Sequence, residues 1–273
     1  MIDLHSHILP NIDDGSMDMG MSIAMARLAV ADGTRYIAAT PHYMPGMYDT
    51  DRTHVLQIVD QFRSALTAEG IGLTVYEGGD VHVTTGLVDK LKGGTLPTLN
   101  GTRYFLFEPP HHVVPPKLVE TAKTLLDAGL VPILTHPERL TWIEKRYELV
   151  CELDEIGVPI QLTAGSITGD FGSRAKRWSD RMILEGRVDI IASDAHNTVS
   201  RPPGLSAAVR ILHGMIGEAN THRITQVNPA LILRNEVLQP KLRAQMPIDE
   251  SEKTKQTNWS LSSIKDAVFG KKR

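Results

Sequence analysis

Along this chain, short apolar runs alternate with longer stretches whose apolar residues recur every three or four positions. The short runs, bounded by Gly, Pro and polar residues, predict strands over 2–4, 36–39, 73–76, 104–107, 131–134, 159–163 and 188–192. The longer stretches predict helices over 17–32, 51–68, 116–128, 143–156 and 172–184. In the first of these, Met21, Ala24, Met25 and Leu28 form the apolar stripe, Ser16 is the expected N-cap and Gly33 the stop. Strands alternating with helices argue for a parallel α/β fold of barrel type, (β/α)7 by the strand count. The competing architecture is an open doubly wound sheet. It would be marked by a Gly-rich phosphate loop, and none follows a predicted strand.

The pattern lapses near Gln239. Segment 239–273 is polar and mixed in charge, and 251–273 carries six basic against two acidic side chains. A flexible tail is expected there, with residues 1–238 as the folded domain. The stretch WSLSSIKDAVF could form a short amphipathic helix on a partner or membrane surface, but a frayed terminus is the simpler expectation. Composition mainly removes possibilities. A formal charge of −3 gives no basic excess for nucleic acid. No apolar run approaches the ~20 residues needed to span a bilayer, and the first residues do not read as a secretory signal. The single cysteine, Cys151, lies in a helical pattern, so it reads as a structural thiol and a cytoplasmic setting is expected. Gly157 stands where a cysteine-dependent tyrosine phosphatase would need an arginine six residues after its nucleophile.

In a parallel barrel the active site lies at the C-terminal ends of the strands. The first predicted strand ends in His5 and His7, the second in His42. The third runs into Glu77, Asp80 and His82, and the fourth into Glu108. The fifth is followed by His136, Glu138 and Arg139, and the seventh by Asp194 and His196. Six of seven strands therefore end in metal-ligand chemistry. Glu108 follows YFLF, a run that reads as buried on both faces, where a carboxylate is costly unless a cation or strong donors meet it. His5 with His7, and Asp194 with His196, would each share a face of extended chain. Imidazoles mixed with carboxylates suit Mn, Fe or Zn, and there are enough of them, with Asp14, for two or three ions. Such a cluster activates water and stabilises charge on a transferring phosphoryl group. Arg139 and Arg201 stand just beyond these residues and suit phosphate oxygens.

Together, the segments DLHSHILPNIDDG, ATPHY, FEPP, THPER and SDAHN followed by RPP resemble the PHP (polymerase and histidinol phosphatase) superfamily. Within it they resemble the bacterial protein-tyrosine phosphatases of capsule and exopolysaccharide operons, the CpsB type. The similarity covers about residues 1–235, with the motifs in order; HxH alone occurs in amidohydrolases too. The resemblance implies a distorted seven-stranded TIM-like barrel (the PHP fold) and a trinuclear centre, usually manganese. It implies removal of phosphate from tyrosines in the tail of a bacterial kinase that controls polysaccharide assembly. Carried over by motif, His5, His7, Glu108 and Asp194 would hold one ion. Glu108, His136 and Asp80 would serve a second, and Asp14, His42 and His196 a third. Arg139 and Arg201 would hold the phosphate. The family pattern has glutamate where this chain has Asp80, so Glu77 and His82 are rival ligands, with Asp80 favoured. Two other functions fit the residues less well. A PHP phosphoesterase for a small ester such as histidinol phosphate would need a site for the imidazole and amine, and none is evident. A non-catalytic binder of phosphorylated proteins would leave the ligand set without a purpose.

Overall fold

The computed structural model describes residues 1–241, so most of the expected tail lies outside the described residues. The chain begins with β1 (Ile2–Asp3), α1 (Met19–Ala31), β2 (Tyr36–Ala39), β3 (His42–Tyr43) and α2 (Arg52–Ala68). It continues through β4 (Thr74–Glu77), β5 (Asp80–His82), α3 (Leu87–Lys92), β6 (Tyr104–Glu108), α4 (Leu118–Asp127) and β7 (Val131–Thr135). Then come α5 (Ile143–Glu155), β8 (Ile160–Thr163), α6 (Ala164–Thr168), α7 (Gly172–Leu184), β9 (Ile190–Ala192), α8 (Ser206–His222) and α9 (Asn228–Leu233). Two helix starts show what sets their bounds. Asp18, not Ser16, caps α1, because its carboxylate accepts the Met21 N–H at 2.8 Å while the Ser16 hydroxyl donates to the Asp18 carbonyl. Asp51 caps α2 by accepting the Thr53 N–H.

Every ladder between these strands is parallel. They run β1-β2-β4 in one sheet and β3-β5-β6-β7-β8-β9 in the other. This is the expected parallel α/β class, but the hydrogen bonds give sheets of three and six strands rather than one closed seven-stranded ring. The interruptions have local causes. Between β2 and β3 stands Pro41, which has no N–H to give a ladder. Between β4 and β5 stands Gly78–Gly79, and a Cβ on Gly79 would lie 2.7 Å from both Pro97 and the Tyr43 ring. Bonds continue across these breaks. The Thr40 N–H reaches the Ser6 carbonyl at 2.9 Å, and the Asp80 N–H reaches the Pro41 carbonyl at 3.0 Å. The first and last strands also meet. Ser6 and Ala195 form a parallel bridge, with Asp194 N–H on the His5 carbonyl and His7 N–H on the Ala195 carbonyl, both at 2.8 Å.

The strands bury both faces. On β6, Phe105 and Phe107 belong to the large core packed under the helices, whereas Tyr104 and Leu106 join Leu4, Ala38, Ile133 and Ile190 in a second core. Side chains alternate along a strand. Glu108 therefore follows Tyr104 and Leu106 on the second face, where the apolar lining gives way to polar groups. Among the described residues no helix is long and apolar enough to cross a membrane. At the last described residues, the Gln239 N–H reaches Asn228 Oδ1 at 3.3 Å and Lys241 pairs with Asp189 at 2.7 Å.

Candidate metal centre

The residues predicted from strand ends converge. His5 and His7 follow β1 and are fully buried. The His5 Nε2 atom lies 3.3 Å from Asp80 Oδ2 and from Asp194 Oδ1, and His7 Nε2 lies 3.3 Å from the same Asp194 oxygen. His42 Nδ1 stands 3.5 Å from Asp80 Oδ2 and 3.4 Å from Glu108 Oε2. His136 Nε2 lies 3.7 Å from Glu108 Oε1. Asp14, half exposed, places Oδ1 3.6 Å from His42 Nε2 and 3.5 Å from His196 Nε2. Two of these positions depend on unusual backbone: His136 and Asp194 both have positive φ, 34° and 52°. That turn redirects a side chain at the strand end, at a conformational cost that the surrounding fold sustains.

Ligand atoms within 4.8 Å of one another form several groups: His7, Asp14, His42 and His196; His5, His7 and Asp80; His5, His136 and Asp194; His42, Asp80 and Glu108; and Glu108, His111 and His136. Asp14, His42 and His196 thus stand together, with His7 beside them. The other two sets are divided differently. Glu108 meets His136 in one group and Asp80 in another, and no group among the described residues joins it to His5 and His7. Of the three rivals beside β5, Asp80 is fully buried between His5 and His42. Glu77 is turned to Arg52 at 2.8 Å, and His82 places Nδ1 3.5 Å from Glu108 Oε2.

Buried side-chain atoms without a hydrogen-bond partner include both Asp80 oxygens, Glu108 Oε2 and Nδ1 of His42, His82 and His136. A buried polar atom left unpaired costs ~1–3 kcal/mol, so a concentration of them at one place calls for a ligand. Oxygen and imidazole donors in this crowding fit divalent ions, and no thiolate is among them. The electrostatics agree. Burial opposes charge on His5, yet Asp194 and Asp80 overcome it and raise its pKa to about 9. Burial opposes charge on His42 too, yet the carboxylates of Glu108 and Asp80, 3.4 and 3.5 Å from its Nδ1, raise its pKa to about 10. Burial also opposes ionisation of Glu108 and Asp194. The His42 and His82 imidazoles, 3.4 and 3.5 Å from its Oε2, nonetheless hold Glu108 well below the ordinary carboxylate range, and His5, His7 and Arg139 do the same for Asp194. Raised imidazoles beside lowered carboxylates mark a place of concentrated negative charge that suits cations.

A second layer fixes the histidines. His7 Nδ1 bonds Asp13 Oδ2 at 2.7 Å, and that oxygen also accepts the His42 N–H at 3.0 Å. His5 Nδ1 bonds Gln161 Oε1 at 2.9 Å. Each contact leaves Nε2 facing the cluster. Sequence reasoning missed Asp13, Gln161 and His111. Gln161 alone carried a signal, as a lone amide inside an apolar strand.

Arg139 and Arg201 close one side. Both guanidiniums bond Asp194 Oδ2, Arg201 at 2.6 Å. Their carbons stand 4.5 and 5.7 Å from the centre of the Phe171 ring. A cavity of about 530 Å³ is lined by Tyr43, Pro45, Tyr48, Val81, His82 and Leu96, among others. It adjoins the cluster directly, since His82 contacts Glu108 and the Tyr48 ring stacks on His42 with centroids 5.4 Å apart. Cys151 is remote from all of this chemistry, on α5, with its thiol pushed up by burial.

Comparison with known proteins agrees with this geometry. The family model for capsular polysaccharide synthesis, CpsB/CapC, matches residues 1–234. Tyrosine-protein phosphatase YwqE of Bacillus subtilis (strain 168) is 36% identical over 238 residues, 87% of this chain and 93% of that protein. Tyrosine-protein phosphatase CpsB of Streptococcus pneumoniae is 28% identical over 243 residues, 87% of this chain and all of its own length. A crystal structure from work on YwqE and CpsB, described there as unique metal-dependent tyrosine phosphatases, superposes with a TM-score of 0.85 at 35% identity. It covers 90% of this chain and all of its own. With the match running through every strand that ends in a candidate ligand, the chain belongs to the CpsB/CapC family of capsular polysaccharide synthesis.

Proposed function

We propose that this chain is a metal-dependent protein-tyrosine phosphatase, acting on phosphotyrosine in the tail of a bacterial tyrosine kinase that controls capsule or exopolysaccharide assembly. The observation that carries the reading is a buried set of imidazoles and carboxylates, rich in unpaired atoms, directly beside two arginines that share one carboxylate oxygen. The names of its relatives point the same way. We assign His5, His7, Asp14, His42, Asp80, Glu108, His136, Asp194 and His196 to two or three ions, manganese first and iron or zinc as alternatives. Ions held there would supply Lewis acidity toward water and toward a phosphoryl oxygen.

The protein's own groups supply the rest. Arg139 and Arg201 present N–H edges to the non-bridging phosphoryl oxygens, and Asp194 fixes both guanidiniums in place. Asp13 and Gln161 hold His7 and His5 in one tautomer, with Nε2 turned inward. The cavity beside Tyr48 and His82 has room for a tyrosyl ring and part of its neighbour, which favours a protein substrate over a compact ester. No thiol takes part, because Cys151 lies elsewhere.

The fold reading follows. We take β2 with β3, and β4 with β5, as two strands each interrupted once. With five other strands and the Ser6–Ala195 bridge, this makes one distorted seven-stranded (β/α)7 barrel. Residues 1–238 form the catalytic domain, and most of 239–273 lies outside the described residues. The discriminating experiment is steady-state turnover of a phosphotyrosine peptide against histidinol phosphate, each with added manganese and with chelator. A large preference for the peptide, abolished by chelator, is expected. Preference for histidinol phosphate, or chelator-resistant turnover, would overturn the reading.

A further inference from the structure

The two arginines are close together and both positive, so something other than substrate must hold them. One partner is Asp194, whose Oδ2 takes a bond from each. The other is a ring. Phe171 lies with its centroid 4.5 Å from the Arg139 guanidinium carbon and 5.7 Å from that of Arg201, within cation–π range for both. Phe171 is half-buried in the short link between α6 and α7, and an ordinary linker residue there would be polar.

The link is built to present this ring. The Gly165 carbonyl receives the N–H groups of Gly169, Asp170 and Phe171, at 3.0, 2.8 and 3.4 Å, which curls the chain back over α6. The ring then rests on Gly165 itself. A Cβ there would fall 2.7 Å from Phe171 Cε2 and 3.0 Å from Cδ2, so the seat exists only because residue 165 has no side chain. From the first turn of α7, Arg174 donates to the Arg139 and Leu140 carbonyls at 2.8 and 2.9 Å. One helix start therefore grips Arg139 twice, by ring and by backbone.

An aromatic face suits this task better than a second carboxylate. It attracts guanidinium faces while adding no net charge, so it does not repel an incoming phosphate dianion. It also leaves the guanidinium edges, which carry the N–H donors, free for phosphoryl oxygens. We propose that Phe171 is a positioning residue, a shared platform that pre-orients Arg139 and Arg201 for the phosphoryl group, with Gly165 as the seat that sets its height. This rests on the phosphatase reading above, and specifically on the assignment of the two arginines to phosphate.

The test uses the full chain loaded with manganese. Inorganic phosphate binding is measured by calorimetry, KM and kcat on one phosphotyrosine peptide, and metal content by elemental analysis. Phe171→Leu keeps an apolar side chain but removes the ring, and should weaken inorganic phosphate binding and raise KM together, between ~2- and ~30-fold, with metal content unchanged. Phe171→Tyr keeps the ring and should stay within about twofold of the parent on both. Gly165→Ala should displace an intact ring and shift both constants as Phe171→Leu does. Three results would overturn the proposal. Phe171→Leu could leave both constants unchanged. It could raise KM alone, which would mean that the ring touches the substrate's aryl group instead. Phe171→Tyr could fall as far as Phe171→Leu, which would mean packing alone. Failure of the parent protein to bind phosphate or turn over the peptide would instead remove the phosphatase reading itself, so the two failures are distinguishable.

Discussion

Replacing Asp13 by asparagine removes one negative charge and almost no volume, and the structure makes its consequences calculable. Asp13 uses both oxygens as acceptors: Oδ1 takes the Gly15 N–H at 2.9 Å, and Oδ2 takes His7 Nδ1 and the His42 N–H at 2.7 and 3.0 Å. An amide has only one acceptor oxygen. If its NH2 turns toward Gly15, two donors collide. If it turns toward His7, the His42 N–H loses its acceptor, Nδ1 must become an acceptor, and the imidazole proton moves to Nε2, the atom that faces Asp194 and the cluster. Either way one buried donor is left unpaired, and in the second case one ligand atom is also blocked. The first costs ~1–3 kcal/mol, or roughly 2–12 °C in Tm for a chain of this size. The second should weaken metal binding by ~10- to 100-fold, the range for removing the carboxylate behind a ligating histidine. The assay is a manganese titration by calorimetry, with thermal unfolding of the metal-free protein alongside. Asp14→Asn is the comparison, since Asp14 is half exposed. It should lower metal affinity while leaving metal-free stability within about 0.5 kcal/mol. If Asp13→Asn matched the parent in both measurements, the tautomer argument would fail.

Arg139→Ala should leave metal content intact, because Arg201 still bonds Asp194 Oδ2. It should lower kcat/KM by ~10²-fold or more, the scale for a lost transition-state donor; loss of metal instead would contradict the division of roles. Glu108→Gln should lower metal occupancy and rate together, because its carboxylate stands among His42, His82 and His136; full occupancy at full rate would exclude it as a ligand. Cys151→Ser should keep most activity, and a well-folded but inactive variant would require another mechanism. The pH dependence has a definite sign. His5 and His42 have folded-state pKa values raised to about 9 and about 10, above the ordinary imidazole value, so both hold protons at neutral pH without metal. Their stabilising pairs are complete below pH ~6.5 and are lost as pH rises through about 9 and about 10. Metal must displace these protons, so affinity should rise with pH across 6.5–9. Calorimetry in two buffers of different ionisation enthalpy should register proton release, and none released would refute it.

Much of this site was legible because the candidate ligands sit where strands end. A barrel-type fold brings such ends together, so His5, His42, Glu108, His136 and Asp194 could be picked out as candidates without knowing any contact. The pairing of β3 with β5 was less visible. β3 and β5 are two and three residues long, too short to show a period of two, and each follows a break at Pro41 or Gly78–Gly79. The supporting residues were hidden for another reason. Asp13 differs from Asp14 only in which way a tight turn points its carboxylate. Phe171 looks like any loop aromatic until the fold brings it against two arginines. Ser16 and Asp18 are both good caps, and only the hydrogen bond to Met21 decides between them.

On the reading proposed above, these strand ends hold a cluster of ions on which phosphate chemistry depends. Elemental analysis of the manganese-reconstituted chain, with phosphotyrosine turnover measured on the same sample as ions are withdrawn by chelator, tests this most directly. Two or three ions per chain are expected, with the rate falling as they leave and returning when manganese is restored. A protein that holds no transition metal after reconstitution, or that keeps its full rate once stripped, would contradict the account.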